Sequence, residues 1–287
     1  MRKTGVMFIR DGVLINRMHV NPVAFAFAYL SFVDVRCRAA ISLESLINFG
    51  FEQSGFSAAE KMRLFNEQNG QALDQIDAAA AFYNTLATAA ASHCTYFHGA
   101  VDLLADLHAS GALNFITSAV EQEVLDAWAQ TAQGSLIAPR FVEILGKREN
   151  FCKGKEHFEY VAGQCEHQRI FYVADAVSEI RTARQYADRF SLTPIGFAYA
   201  VSREQVLDAV SLVQDSFASL SDRAPNLLAD VRIDPALLHL PDAAEVEKAL
   251  TTAGASALAV GAAGNIMISL RRLFEEACLL TSVTPGS

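Results

Sequence analysis

The sequence predicts an α/β protein whose parallel sheet is interrupted, after its first strand, by an inserted helical block. Three observations predict it. Gly5–Ile9 is an apolar run closed by the polar, glycine-containing turn Arg10-Asp11-Gly12. The stretch from about Pro22 to Ala90 reads as one long helical region. Beyond Ala100, short apolar runs alternate with helix-length segments, the pattern of strands joined by crossover helices over both faces of a parallel sheet.

Gly5–Ile9 is the expected first strand, buried along its length. Ser57-Ala58-Ala59-Glu60 has the form of a capping box, in which the serine and glutamate satisfy backbone donors reciprocally, and it opens a helix through Met62, Leu64 and Phe65. The alanine-rich segment Ile76–Ala91 favours helix by propensity. Ala100–Ser110 reads as a helix with Val101, Leu104 and Leu107 on one side, ended by Gly111. Leu113–Ile116 is a short strand, and Ser118-Ala119-Val120-Glu121 is expected to cap a helix over Glu121–Thr131.

Phe141–Leu145 marks another strand or the approach to one, Phe158–Ala162 is helical, and Ile170–Ala174 is a clear buried strand. A helix carrying Ile180, Ala183 and Ala187 leads to the strand Thr193–Tyr199, whose start Pro194 places near an edge or loop. Ser202-Arg203-Glu204-Gln205 is a further capping box, followed by helix to about Val213. Ala229–Ile233 offers a short final strand, and Asp242-Ala243-Ala244-Glu245 caps the helix Val246–Ala249. In the tail, Ile266, Leu270, Leu273, Phe274 and Ala277 give Ile266–Leu280 an amphipathic face, expected to pack on the same domain, with a dimer contact or a docking surface as the alternative.

With 287 residues, of which 52% are hydrophobic, the chain can build one large core, or one core and a smaller domain. Its net charge of −9 gives no electrostatic reason to expect nucleic acid or an anionic membrane as partner. Cys37, Cys94, Cys152, Cys165 and Cys278 are widely spaced and contain no Cys-x-x-Cys pair, as scattered thiols of a reducing compartment would be. Arg10 and Asp11 cut short the N-terminal apolar run, so no secretory signal is expected. Ala253–Leu270 lacks charge but is too rich in alanine and glycine for a membrane span. A cytoplasmic protein is the expectation.

The opening Ile9-Arg10-Asp11-Gly12-Val13-Leu14 resembles the first motif of the haloacid dehalogenase (HAD) superfamily, a strand followed by Asp-x-Asp-Gly-x-Leu. Asp11, Gly12 and Leu14 fit the register, but Ile9 stands where the family places its nucleophilic aspartate. The resemblance spans about residues 5–250. It implies a Rossmann-like parallel sheet with a helical cap, the core formed by residues 1–15 and 91–250, the cap by 16–90, and residues 251–287 an additional helical extension.

The resemblance also implies a site. Asp11 would be the general acid and base, its carbonyl helping to hold Mg2+. Thr117 would bind a phosphoryl oxygen, with Ser118 turning the chain into the next helix. Lys155 has the most family-like setting for the lysine that neutralises phosphate, with Lys153 second and Lys147 also nearby. Asp175, at the end of Ile170–Ala174, and Glu179 four residues on would be the remaining Mg2+ ligands, as carboxylates suit that ion. Ala174 replaces the family's glycine. The bland alternative has Asp175 and Ser178 merely capping a helix.

Isoleucine has no lone pair to attack phosphorus, so the usual aspartyl-phosphate route cannot run at residue 9. Strand alternation would turn Arg10 away from the site. The expectation is a HAD-like pseudoenzyme that binds a small-molecule ligand or a protein partner, as a monomer or homodimer. The alternatives are an Mg2+-dependent phosphomonoester or phosphonate hydrolase with an altered mechanism, or another reaction in the same crevice. Tyr96, His98, His19 and His157 are candidates for lining it.

Overall fold

The computed structural model describes residues 4–38, 40–70, 73–220 and 233–280. In chain order, β1 (Gly5–Ile9) is followed by α1 (Val20–Phe32), α2 (Val35–Arg38), α3 (Leu43–Glu52), α4 (Ala58–Asn69) and α5 (Ile76–Ala91). Then come α6 (Ala100–Ala109), β2 (Leu113–Glu121), α7 (Gln122–Ala129), β3 (Glu143–Lys147), α8 (Lys155–Gln164), β4 (Ile170–Ala174), α9 (Val177–Gln185), α10 (Ala187–Phe190) and β5 (Leu192–Ala198). The remaining elements are α11 (Arg203–Leu220), α12 (Ala243–Thr252), β6 (Ala257–Val260) and α13 (Ile266–Glu276). By its contacts the chain divides into two units, residues 1–16, 95–199 and 243–287 in one and residues 17–94 and 200–242 in the other.

The first unit is the α/β unit. Among the described residues its sheet has six strands in the order β3-β2-β1-β4-β5-β6, every neighbouring pair parallel. All of β1 is buried, which explains its continuous apolar run, since a parallel strand covered on both faces has no solvent side to make polar. Phe274 of α13 meets Phe8 and Phe171 edge to face, with ring centroids 6.3 and 5.7 Å away, and fixes that helix against two central strands.

The tail packs within this unit, as its apolar face led one to expect. It also supplies β6, which pairs with β5 from Ile195↔Ala257 to Ala198↔Val260. This strand went unread because Ala257-Leu258-Ala259-Val260 is short and carries little β-propensity. Gly196 makes the close approach possible: a Cβ there would lie 2.6 Å from a methyl carbon of Leu258. The final strand expected at Ala229–Ile233 falls, but for Ile233, outside the described residues, and Ile233 itself is not in a strand.

β2 runs longer than the sequence suggests. The chain stays extended through Glu121, with a register shift against β3 between Thr117 and Glu121, and α7 starts at Gln122. Ser118 does not cap that helix. Its hydroxyl accepts the Val120 N–H at 3.2 Å within the strand, while Glu121 pairs with Lys147 across to β3 at 2.9 Å.

Among the described residues, the elements of the second unit are all helices. α1 is buried nearly all round, from Val20 to Leu30, and packs on α3, α5 and α11. Its Phe25 stacks on Phe49, and the Tyr29 ring meets Phe65 while its hydroxyl donates to Asn66 at 2.6 Å. Ser57 caps α4 as read from sequence, accepting the Glu60 N–H. The box at Ser202 is also formed, with Ser202 and Gln205 each bonding the other's backbone N–H.

The helix it opens lies elsewhere than expected. α11 belongs to the helical unit, not to the α/β core of residues 91–250, because Phe217 on its buried face packs edge to face with Phe27 and Phe82. The helical unit is thus built from two stretches of chain, 17–94 and 200–242, instead of 16–90 alone.

Candidate functional site

A parallel sheet brings the loops at its carboxyl edge together, and register fixes which residues share that edge. Ile9 of β1 is opposite Thr117 of β2, and Phe8 is opposite Val173 of β4. Ile9 and Ala174 therefore end their strands at the level of Thr117, which lies within β2, with Arg10-Asp11 and Asp175 just beyond.

Ile9 is 6% exposed and contributes only hydrocarbon. After it the chain turns sharply: Leu14 and Ile15 both donate their N–H to the Arg10 carbonyl, and Gly12 takes φ 96°, a conformation that disfavours any residue with a Cβ. The turn ends strand alternation, so Arg10 does not point away. Its guanidinium is buried and forks onto Asp11, Nε to Oδ1 and a terminal nitrogen to Oδ2, each at 2.8 Å, while lying 5.0 Å from the Trp128 ring centroid. Arg10 is the site residue that sequence reasoning missed. The available signal was the Asp-Gly turn, which releases the residue before it from the strand's periodicity.

Thr117 is fully buried, and its hydroxyl lies 2.7 Å from Nδ1 of His157. His157 Nε2 lies 3.2 Å from the Gly146 carbonyl, which can only accept, so Nε2 carries the proton and Thr117 donates to Nδ1. Burial lowers the His157 pKa to about 4, the Gly146 bond offsetting part of the effect. The Thr117 proton is thus committed to an interior histidine rather than to a ligand. His157 is a core residue and lines no crevice.

Of the two lysines, the second choice is the one that reaches the site. Lys155 starts α8 and is exposed. Lys153 precedes Gly154, whose φ of 112° turns the chain into α8, and its ammonium pairs with Glu179 where both side chains are largely buried. Glu179 lies in the first turn of α9 and also accepts from the buried Tyr172 hydroxyl at 3.4 Å. The N-cap of α9 is Ala176, without a side-chain cap, so Asp175 is not spent on capping. Asp175 is half-buried, and its poor hydration, then the Glu179 carboxylate, push its pKa up to about 7; Lys153 opposes the rise and Asp11 adds to it.

Asp11, Asp175, Glu179, Arg10 and Lys153 form one electrostatic cluster, but not a ready metal site. Among the described residues, no three His, Cys, Asp or Glu side chains are grouped to hold a metal ion. Both oxygens of Asp11 are taken by Arg10, and those of Glu179 by Lys153 and Tyr172. As side chains, Asp11 and Glu179 thus present engaged carboxylates to an ion such as Mg2+, which takes oxygen ligands in near-octahedral geometry, whereas the contact expected of Asp11 is through its backbone carbonyl. The other expected lining residues are dispersed. Tyr96 donates to the Gln133 carbonyl at 2.7 Å, His98 is exposed, and His19 lies in the helical unit, where burial lowers its pKa and Asp208 partly offsets this.

A parallel sheet with Asp11 beyond β1, Thr117 at the level of Ile9, a lysine before α8 and an acid after β4 has the haloacid dehalogenase-like fold, its helical unit entering after β1. Solved structures share it at low identity. A HAD family hydrolase from Deinococcus radiodurans R1, with bound phosphate and sodium, is 18% identical, with 98% of this chain and 99% of that one aligned at a TM-score of 0.56. A hydrolase from Pseudomonas syringae is 15% identical, with 95% and 99% aligned at a TM-score of 0.57. A predicted phosphoglycolate phosphatase from Haemophilus somnus 129pt aligns over 69% of this chain and 86% of its own at 14% identity and a TM-score of 0.51. No protein-family model and no curated protein matches the chain.

Proposed function

We propose that this HAD-fold protein does not carry out aspartyl-phosphate chemistry and acts instead as a pseudoenzyme that binds a small-molecule ligand or a protein partner. The observation that carries the reading is Ile9. It ends β1 level with Thr117, where the fold's covalent route needs a carboxylate, and it offers no nucleophilic atom. Two further features support it: the Thr117 hydroxyl is committed to His157, and Asp11 is clamped by Arg10. An apolar residue at the crevice floor, with the neighbouring charges paired, suits an organic ligand with little net charge better than a phosphate dianion.

A cytoplasmic location belongs to the same reading, supported by five cysteines without a disulfide among them. The net charge of −9 argues against nucleic acid as partner. No helix of the described residues is long and apolar enough to cross a membrane. A homodimer remains part of the proposal.

A hydrolase with an altered mechanism is the second reading. It is favoured by the pKa of Asp175, near 7, which suits a general acid or base, and by the phosphate bound in the Deinococcus radiodurans hydrolase. Phosphate release from a phosphomonoester panel, with and without Mg2+, separates the two for the natural chain and Ile9→Asp. The pseudoenzyme reading expects no release by the natural chain. Release that disappears in Asp11→Asn would replace it with the hydrolase.

A further inference from the structure

Asp11 and Glu179 are each paired with a cation from inside the chain. Arg10 reaches Asp11 through both oxygens at 2.8 Å, and its guanidinium is held on its other side by Trp128. Lys153 reaches Glu179, whose second oxygen takes the Tyr172 hydroxyl. The four ion-paired side chains are each between 6% and 15% exposed, so these are not solvated surface pairs of negligible strength.

Arg10 and Lys153 together carry +2, the charge of one divalent metal ion. With Asp11, Glu179 and Asp175 all ionised, the cluster retains one negative charge. A divalent ion added to it would place four positive charges against three negative ones, beside a buried guanidinium that cannot lose its proton.

We propose that Arg10 and Lys153 are built-in counter-cations that take the place of a divalent metal, so that this crevice holds its carboxylates together without Mg2+. The proposal concerns metal binding and stands whether or not the protein hydrolyses anything. It makes Arg10 a positioning residue for Asp11, and Lys153 one for Glu179. It also implies that deleting one cation uncovers a latent divalent-cation site, since two negative charges would then lie together uncompensated.

The test is calorimetric titration with MgCl2, together with thermal unfolding in EDTA and in saturating MgCl2. The natural chain is expected to show no saturable heat and the same melting temperature in both. Lys153→Met is expected to melt lower than the natural chain in EDTA, to recover in MgCl2, and to give a saturable isotherm that Asp175→Asn removes. Saturable Mg2+ binding by the natural chain, lost in Asp175→Asn, would overturn the proposal, and this measurement does not depend on any cation-deletion variant folding. A folded Lys153→Met that gains no Mg2+ affinity would overturn it too. Phosphate release by the natural chain in EDTA would defeat the pseudoenzyme reading while leaving the counter-cation assignment supported.

Discussion

The Thr117 hydroxyl donates to Nδ1 of His157 across 2.7 Å of fully buried interior, and this bond fixes the imidazole in its neutral form. Three residues of sheet and helix are locked by it, since Nε2 of the same ring donates to the Gly146 carbonyl of β3.

Stability against pH should therefore show two opposed slopes. His157 has a folded pKa of about 4, below its ordinary 6.5, so between these values the unfolded chain binds more protons and stability falls as pH falls. Asp175 has a folded pKa of about 7, above its ordinary 3.8, so there the native chain binds more protons and stability falls as pH rises. Over their full spans the His157 slope is worth about 3 kcal/mol and the Asp175 slope about 4 kcal/mol, so they largely cancel in the natural chain. Urea unfolding from pH 4 to 7.5 should show this. His157→Gln should leave stability declining as pH rises, and Asp175→Asn should leave it increasing. A variant whose profile parallels that of the natural chain would show the corresponding shift to be absent.

Phe274→Ala is expected to cost about 3–5 kcal/mol, the usual loss for a large buried ring. Its side chain is 0% exposed and touches Phe8 and Phe171 on adjacent strands. Chemical denaturation would check this. A loss below about 1 kcal/mol would mean that α13 is an appendage rather than core.

Phe217→Ala should destabilise by a similar amount, about 3 kcal/mol, through the ring contacts with Phe27 and Phe82. Hydrogen exchange would locate the effect. Faster exchange in α1 and α5, with the sheet strands unchanged, is the expected pattern. Faster exchange confined to β5 and α12 would place α11 with the α/β unit instead.

Local periodicity and chemistry made much of the fold legible. β1, the start of β2, β4, β5, the Ser57 cap and the Ser202 box depend on neighbours within a few residues, and each lies where the sequence put it. Asp175 at the end of β4 and the isoleucine at the end of β1 were readable for the same reason. By itself the sequence thus determined where β1 and β4 end and the absence of a carboxylate at residue 9.

The tertiary structure decided what an apolar face packs against and where a long charged side chain goes. The pattern of α11 shows a buried face but cannot say whether sheet or helices cover it; only Phe217 among Phe27 and Phe82 does. Lys153 and Lys155 differ by two positions in sequence, and the left-handed turn at Gly154 sends one to Glu179 and the other to solvent. Arg10 turns toward Asp11 because the strand ends at Ile9, and the two-residue alternation that would have aimed it elsewhere holds only while the chain is extended.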